Sequence, residues 1–248
     1  MPTRSDRLLP ALLLTCVVAL AACAKPQPVP IDRVIESARS GESANRMIET
    51  LKSSKTTYAL RGSDFGKLRD AGVPDDVLDH VQQQFIDDVD LLTRYWVLGE
   101  SVGGCARCVP LEVDLSDPDS PRMTSTDTSM RADRPQGMPS WYRPYGPRRS
   151  EVSLSQIAEM ARSGTSEQEL IQVLRTSRLE GVAGVGGLAT IRTHPISGVM
   201  GSELAQLHSD GVPGAVIDEV QTVFLGQFVE IERLRYQNLG KGPSGPNN

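Results

Sequence analysis

Aromatic residues are scarce in this chain: two Trp, five Tyr and four Phe among 248 residues, or 4%. A hydrophobic core must therefore rest on Leu, Val and Ile. Positive charge is not in excess. Against 26 Lys and Arg stand 31 Asp and Glu, a net charge of −5, so nothing draws the protein electrostatically to nucleic acid. No apolar run reaches the ~20 residues that a membrane-spanning helix needs. The three histidines, His80, His194 and His208, show no ligand spacing and assign no metal. Hydrolase signatures of the G-x-S-x-G and H-E-x-x-H kinds are missing, and no acid pair stands out. The run "GVAGVGG" from Gly181 lacks the G-x-G-x-x-G order and the Lys-Ser/Thr of a phosphate loop. No catalytic residue and no cofactor is assigned.

What is present begins at the N-terminus. "MPTRSDR" supplies Arg4 and Arg7, and "LLPALLLTCVVALAA" follows as an uncharged apolar run. Its length suits the hydrophobic region of a signal peptide. The run closes on Leu20, Ala21, Ala22 and Cys23. This ending resembles the lipobox of bacterial lipoproteins. The resemblance implies a signal peptide over residues 1–22, cleavage before Cys23, and lipidation of Cys23 with palmitate-type acyl chains. It further implies a protein of the cell envelope. Ala24, in place of Asp, points in the enterobacterial rule to the outer membrane, with the chain facing the periplasm. Residues 23–30 read as a Pro-rich stalk, which as polyproline II would reach roughly 20 Å.

The stretch "GVPDDVLDHV" from Gly72 recurs as "GVPGAVIDEV" from Gly211, about 140 residues later. Around it the likeness continues. "ARSG" occurs at Ala38 and again at Ala161. Ile48, Leu51 and Ser54 match Ile171, Leu174 and Ser177, while Leu68 matches Leu207 and Phe85 matches Phe224. These identities fall on apolar and turn positions, as in a duplicated structural unit. Each unit reads as short helices. Ser43 and Ser63 are expected N-caps, and "TTYAL" reads as an extended clip through Tyr58. The G-V-P corner ends one helix and starts the next: Gly72 takes the left-handed conformation and Pro74 enters the first turn. The last helix carries Val77, Val81, Phe85, Val89 and Leu92. Its counterpart carries Val216, Val220, Phe224, Phe228 and Ile231. The pattern resembles a helical module of bacterial envelope proteins to which no activity is attached, so the resemblance implies fold and compartment alone.

Between the units, residues 96–150 are turn-rich and aperiodic and read as a linker, about 55 residues that as a coil would span ~40 Å. Cys105 and Cys108 lie there in "GGCARCVP". A structural disulfide fits an oxidising compartment. A redox-active pair and a zinc half-site stay open beside it, whereas Val109 stands where c-type haem attachment requires His. Trp141, Tyr142 and Tyr145 in "WYRPYGP" pack on the protein's own helices or contact a partner or glycan. Unit two differs from unit one by an insertion over 179–200, whose Ile191 and Ile196 are candidate partner contacts.

The expected fold is all-α, with two homologous small helical units joined by a long irregular linker. Unit one spans 31–95, unit two 151–240, and 241–248 form a disordered tail. The expected role is a non-enzymatic, lipid-anchored envelope protein that binds a membrane through its anchor and a partner protein or the cell wall through its body. Nucleic acid is not among the expected partners. The alternative is a periplasmic thiol–disulfide protein using Cys105 and Cys108.

Overall fold

The computed structural model describes residues 27–98, 110–115, 122–125, 137–146, 150–182 and 198–239. Among them are eight helices and two short sheets. In the N-terminal half, α1 (Ile31–Arg39) and α2 (Ala44–Ser54) are followed by β1 (Tyr58–Ala59), α3 (Gly62–Asp70) and the long α4 (Asp75–Leu98). Then come β2 (Leu111–Asp114) and β3 (Arg122–Ser125). The C-terminal half repeats the order: β4 (Ser150–Val152), α5 (Leu154–Arg162), α6 (Glu167–Thr176), β5 (Ser177–Leu179), α7 (Gly201–Ser209) and α8 (Gly214–Leu239).

The G-V-P corner works as its residues dictate. Gly72 and Gly211 have φ of +94° and +81°, where a side chain would be strained. This turn lets the Val73 N–H reach back to the Leu68 carbonyl and the Val212 N–H to that of Leu207, both at 3.0 Å. The otherwise orphaned carbonyls at the ends of α3 and α7 are thereby satisfied. Pro74 and Pro213 stand immediately ahead of the long helices, and their carbonyls accept the first helical bonds. Val77, Val81, Phe85, Val89 and Leu92 are all buried, as are Val216, Val220, Phe224 and Phe228, with Ile231 half-buried. Each such side chain contributes about 1.5–3 kcal/mol by leaving water.

The halves are not separate beads. α3 packs on α7, α4 on α8, and α4 on α7. The buried face of α8 is wider than its five-residue stripe suggests, because every residue from Glu219 to Val229 except Thr222 is buried. A helix enclosed on most sides belongs to the centre of a fold.

Two expectations need correction. Ser63 does not cap α3. The helix begins two residues earlier, at Gly62, with Arg61 as N-cap and Asp64 accepting the Arg61 N–H at 3.1 Å. The segment after α4 is also not wholly irregular. β2 runs parallel to β1, with Tyr58 opposite Leu111, and β3 runs antiparallel to β2. Val113 and Leu115 are buried. The chain at 137–146 is anchored too: Ser140 Oγ donates to Glu112 Oε1 at 2.6 Å.

The start of the fold is fixed at Val29, inside the expected stalk. Its N–H donates to Thr56 Oγ1 at 2.8 Å, and the Tyr58 hydroxyl donates to its carbonyl. In the C-terminal half β4 occupies the matching place, paired in parallel with β5.

Candidate functional site

The most elaborate arrangement of polar groups lies where the halves meet, and it is reciprocal. The Ser63 N–H at the start of α3 donates to Asp218 Oδ1 on α8 at 2.8 Å. The Ser202 N–H at the start of α7 donates to Asp79 Oδ1 on α4 at 2.7 Å. Each half therefore supplies the carboxylate that satisfies a free N–H at the other's helix start, where the helix dipole also favours negative charge. Between them Gln221 Nε2 donates to Gln82 Oε1 at 3.2 Å, two buried side chains 139 residues apart. Gln82 Nε2 donates on to the Val199 carbonyl. Closeness is secured by glycine. A methyl group at Gly62 would overlap the Ile217 carbonyl, and one at Gly201 the Leu78 carbonyl.

Sequence reasoning placed the repeat's identities on apolar and turn positions. The structure adds a polar set, Ser63/Ser202, Asp79/Asp218 and Gln82/Gln221. Their signal was in view, since each pair matches within or beside the shared motif.

Elsewhere the halves differ. On α6 and α8, Arg175 pairs with Glu219 at 3.1 Å, and Gln227 Oε1 accepts the Leu179 N–H at 2.9 Å. At the matching places of the N-terminal half stand Lys52, His80 and Asp88. Burial and the neighbouring Lys52 hold His80 below the usual histidine range. Burial pushes the Asp88 carboxyl up to about 6, partly offset by a hydrogen bond from Thr57.

Further along the two long helices is a cluster that sequence reasoning missed. Tyr236 OH donates to Asp90 Oδ1 at 2.7 Å, and Arg235 Nη1 reaches Glu232 Oε2 at 3.1 Å. Glu232 is 2% exposed and hydrogen-bonded to Asp90. Burial first and the Asp90 charge second push Glu232 up to about 7. The matching residues of the other half are Val229 and Thr93, so the repeat gives no hint of the pair.

This cluster predicts a pH dependence. A carboxyl whose folded pKa is raised binds its proton more tightly in the folded state. Its stabilisation is complete below the unfolded value near 4.5 and is lost as pH rises through about 7. Asp88 acts in the same sense through about 6, and His80, with its pKa lowered, in the opposite sense. Glu232→Gln isolates one contribution. Relative to wild type, the variant is expected to gain about 1–3 kcal/mol between pH 5 and pH 8, measured by denaturant titration at both pH values. A constant difference would show that Glu232 takes up no proton on folding.

Among the described residues the surface carries several grooves, and two are larger than a third between α1 and α2. One, of about 550 Å³, lies between α1 and α3, over Ile35, Leu68 and Leu115 with Asp32 and Lys67 at its edge. The other, of about 390 Å³, lies between β5 and α8, over Leu179, Val182 and Ile231. Neither is lined by the Asp90–Glu232 pair.

The predicted site residues divide into two groups. Trp141 is half-buried and packs on Phe85, with ring centroids 5.9 Å apart. Tyr142 is buried, and the backbone of Arg143 and Tyr145 lies against Gly226 of α8. This aromatic segment thus sits on the protein's own helices. Cys23, Cys105, Cys108, Ile191 and Ile196 lie outside the described residues. The ends of the expected insertion are part of the fold, since Leu179, Val182 and Val199 are buried. His208 meets Asp70 at 3.1 Å, and among the described residues no group of three or more His, Cys, Asp or Glu is placed to hold a metal ion. Compared with known proteins, the chain matches no family model, no curated protein and no solved structure.

Proposed function

We propose that this chain is a lipid-anchored protein of the bacterial cell envelope, held at the outer membrane through Cys23 and facing the periplasm. Its body is a duplicated helical module that binds another envelope protein or the cell wall without catalysis of its own. The observation that carries the reading is the ending Leu20-Ala21-Ala22-Cys23 on a short apolar run behind Arg4 and Arg7. The position of Val29 supports it. Because Val29 is already held by Thr56 and Tyr58, a lipid on Cys23 would keep the helical body within roughly 20 Å of the bilayer. Among the described residues no helix is long and apolar enough to cross a membrane, so attachment in this reading falls to acyl chains. Each buried methylene contributes ~0.8 kcal/mol, and several chains together give stable anchoring.

The test is metabolic labelling with palmitate in a bacterial host. Wild-type chain is expected to take up label and to fractionate with membranes. Cys23→Ser is expected to lose the label entirely and to remain uncleaved or become soluble. Label that persists in the Cys23→Ser chain would overturn the assignment.

A further inference from the structure

Toward their C-terminal ends the two long helices carry a pair of carboxyls that the repeat does not call for. Asp90 on α4 and Glu232 on α8 meet across the helix pair. Val229 and Thr93 stand at the matching positions, both buried, with the Thr93 hydroxyl satisfied by the Val89 carbonyl at 2.8 Å. Burying two carboxyls costs more than burying such residues, so packing alone gives no reason for them. The groups that face the pair come from both helices. Asp90 Oδ1 accepts from the Tyr236 hydroxyl at 2.7 Å. Arg235 reaches both oxygens of Glu232, at 3.1 and 3.3 Å. Beside them Arg233 is held by Glu230 at 2.6 Å, with Tyr142 of the 137–146 segment near it. Among the described residues Arg235 is therefore the cation paired with these carboxyls, and its side chain is 40% exposed whereas Glu232 is buried. Their place along the helices matters as much. Asp90 and Glu232 lie about two turns from the last residues of α4 and α8, Leu98 and Leu239. Both helices also pack on α3 and α7, but beyond the pair Leu98 and Leu234 are exposed. Helix ends with little packing open at low cost.

We propose that Asp90 and Glu232 form a pH-sensitive latch: a proton held between the two carboxyls keeps the far ends of α4 and α8 together, and its release to solvent lets those ends part. While Glu232 carries the proton, its hydroxyl donates to Asp90, which takes a second bond from Tyr236, and Arg235 balances the one negative charge. Once the proton leaves, two carboxylates face each other out of water, and a single guanidinium cannot serve both. The repulsion acts across the helix pair where it is least supported. Separation relieves it by wetting Glu232 and freeing Tyr236. Burial and the Asp90 charge place the titration of Glu232 at about 7, so the latch is closed below that pH and open above it. Asp88, raised to about 6, has Thr57 as its partner and is not a member of the pair. The latch requires neither a lipid on Cys23 nor a bound partner, so it goes beyond the reading above and stands or falls apart from it.

The test is amide hydrogen exchange by NMR on the full chain in detergent at pH 6 and pH 8, each rate divided by its intrinsic rate at that pH. Protection of 91–98 and 233–239 is expected to fall about tenfold or more between the two, with 77–89 unchanged. Glu232→Gln keeps the neutral form and is expected to hold the ends protected at both pH values. Asp90→Asn removes the facing charge and is expected to do the same, so the claim does not hang on the folding of one variant. Asp88→Asn, which removes the raised carboxyl outside the pair, is expected to leave the fall in place. Equal protection at pH 6 and pH 8 overturns the proposal. A fall that persists in Glu232→Gln or Asp90→Asn overturns it too. So does a fall spread evenly over both helices, because the pair would then act on global stability and not as a latch.

Discussion

Gly62→Ala and Gly201→Ala are each expected to destabilise the protein by about 3 kcal/mol, at the upper end of what overpacking costs. The reason is local and backbone-borne. At both positions the added methyl meets a main-chain carbonyl of the opposite half, Ile217 for Gly62 and Leu78 for Gly201. A side chain there could swing aside, but a carbonyl inside a helix cannot move without shifting α4 or α8. The double variant is expected to lose about 10–20 °C in melting temperature. Gly214→Ala is the control, since the nearest atom to its methyl is Ser63 Cβ at an ordinary 3.4 Å. It should be neutral or slightly stabilising, as alanine favours helix over glycine. Thermal unfolding of the three single variants checks this. If Gly62→Ala melts with wild type, the halves do not approach as closely as described.

The general plan was legible in the sequence because it depends on short-range patterns. The G-V-P corner, the i, i+4 stripes and the clip at Tyr58 are all set by residues within one or two turns of one another. The meeting of the halves was legible only as a hint. Asp79 and Asp218 sit inside the shared motif, yet a helical aspartate reads as solvated until its partner's N–H is located. β2 was missed for a related reason. "LEVDL" alternates apolar and polar residues, but a four-residue strand gives too little pattern to stand out when its partner β1 lies far back in the chain. The Asp90–Glu232 pair was beyond reach, because their meeting depends on the register of α4 against α8 and on burial.

Leu68→Ala and Leu207→Ala are the second pair of large effects. Both side chains are buried, at 1% and 3% exposure, in the elements through which the halves grip each other. Each truncation is expected to cost about 2–5 kcal/mol, the lost transfer free energy together with the cavity left behind. A loss of the size seen at surface sites would place these residues outside the core. The distribution of the loss is more informative than its size, because the Ser63–Asp218 and Ser202–Asp79 bonds tie each half's helix start to the other half. Native-state hydrogen exchange of the α3 and α7 amides in the Leu207→Ala chain therefore tests the interlocking most directly. The account predicts that protection falls by the same free energy in α3, which carries no substitution, as in α7, which does. Loss of protection in α7 with α3 unchanged would show two independently folding halves and would contradict it.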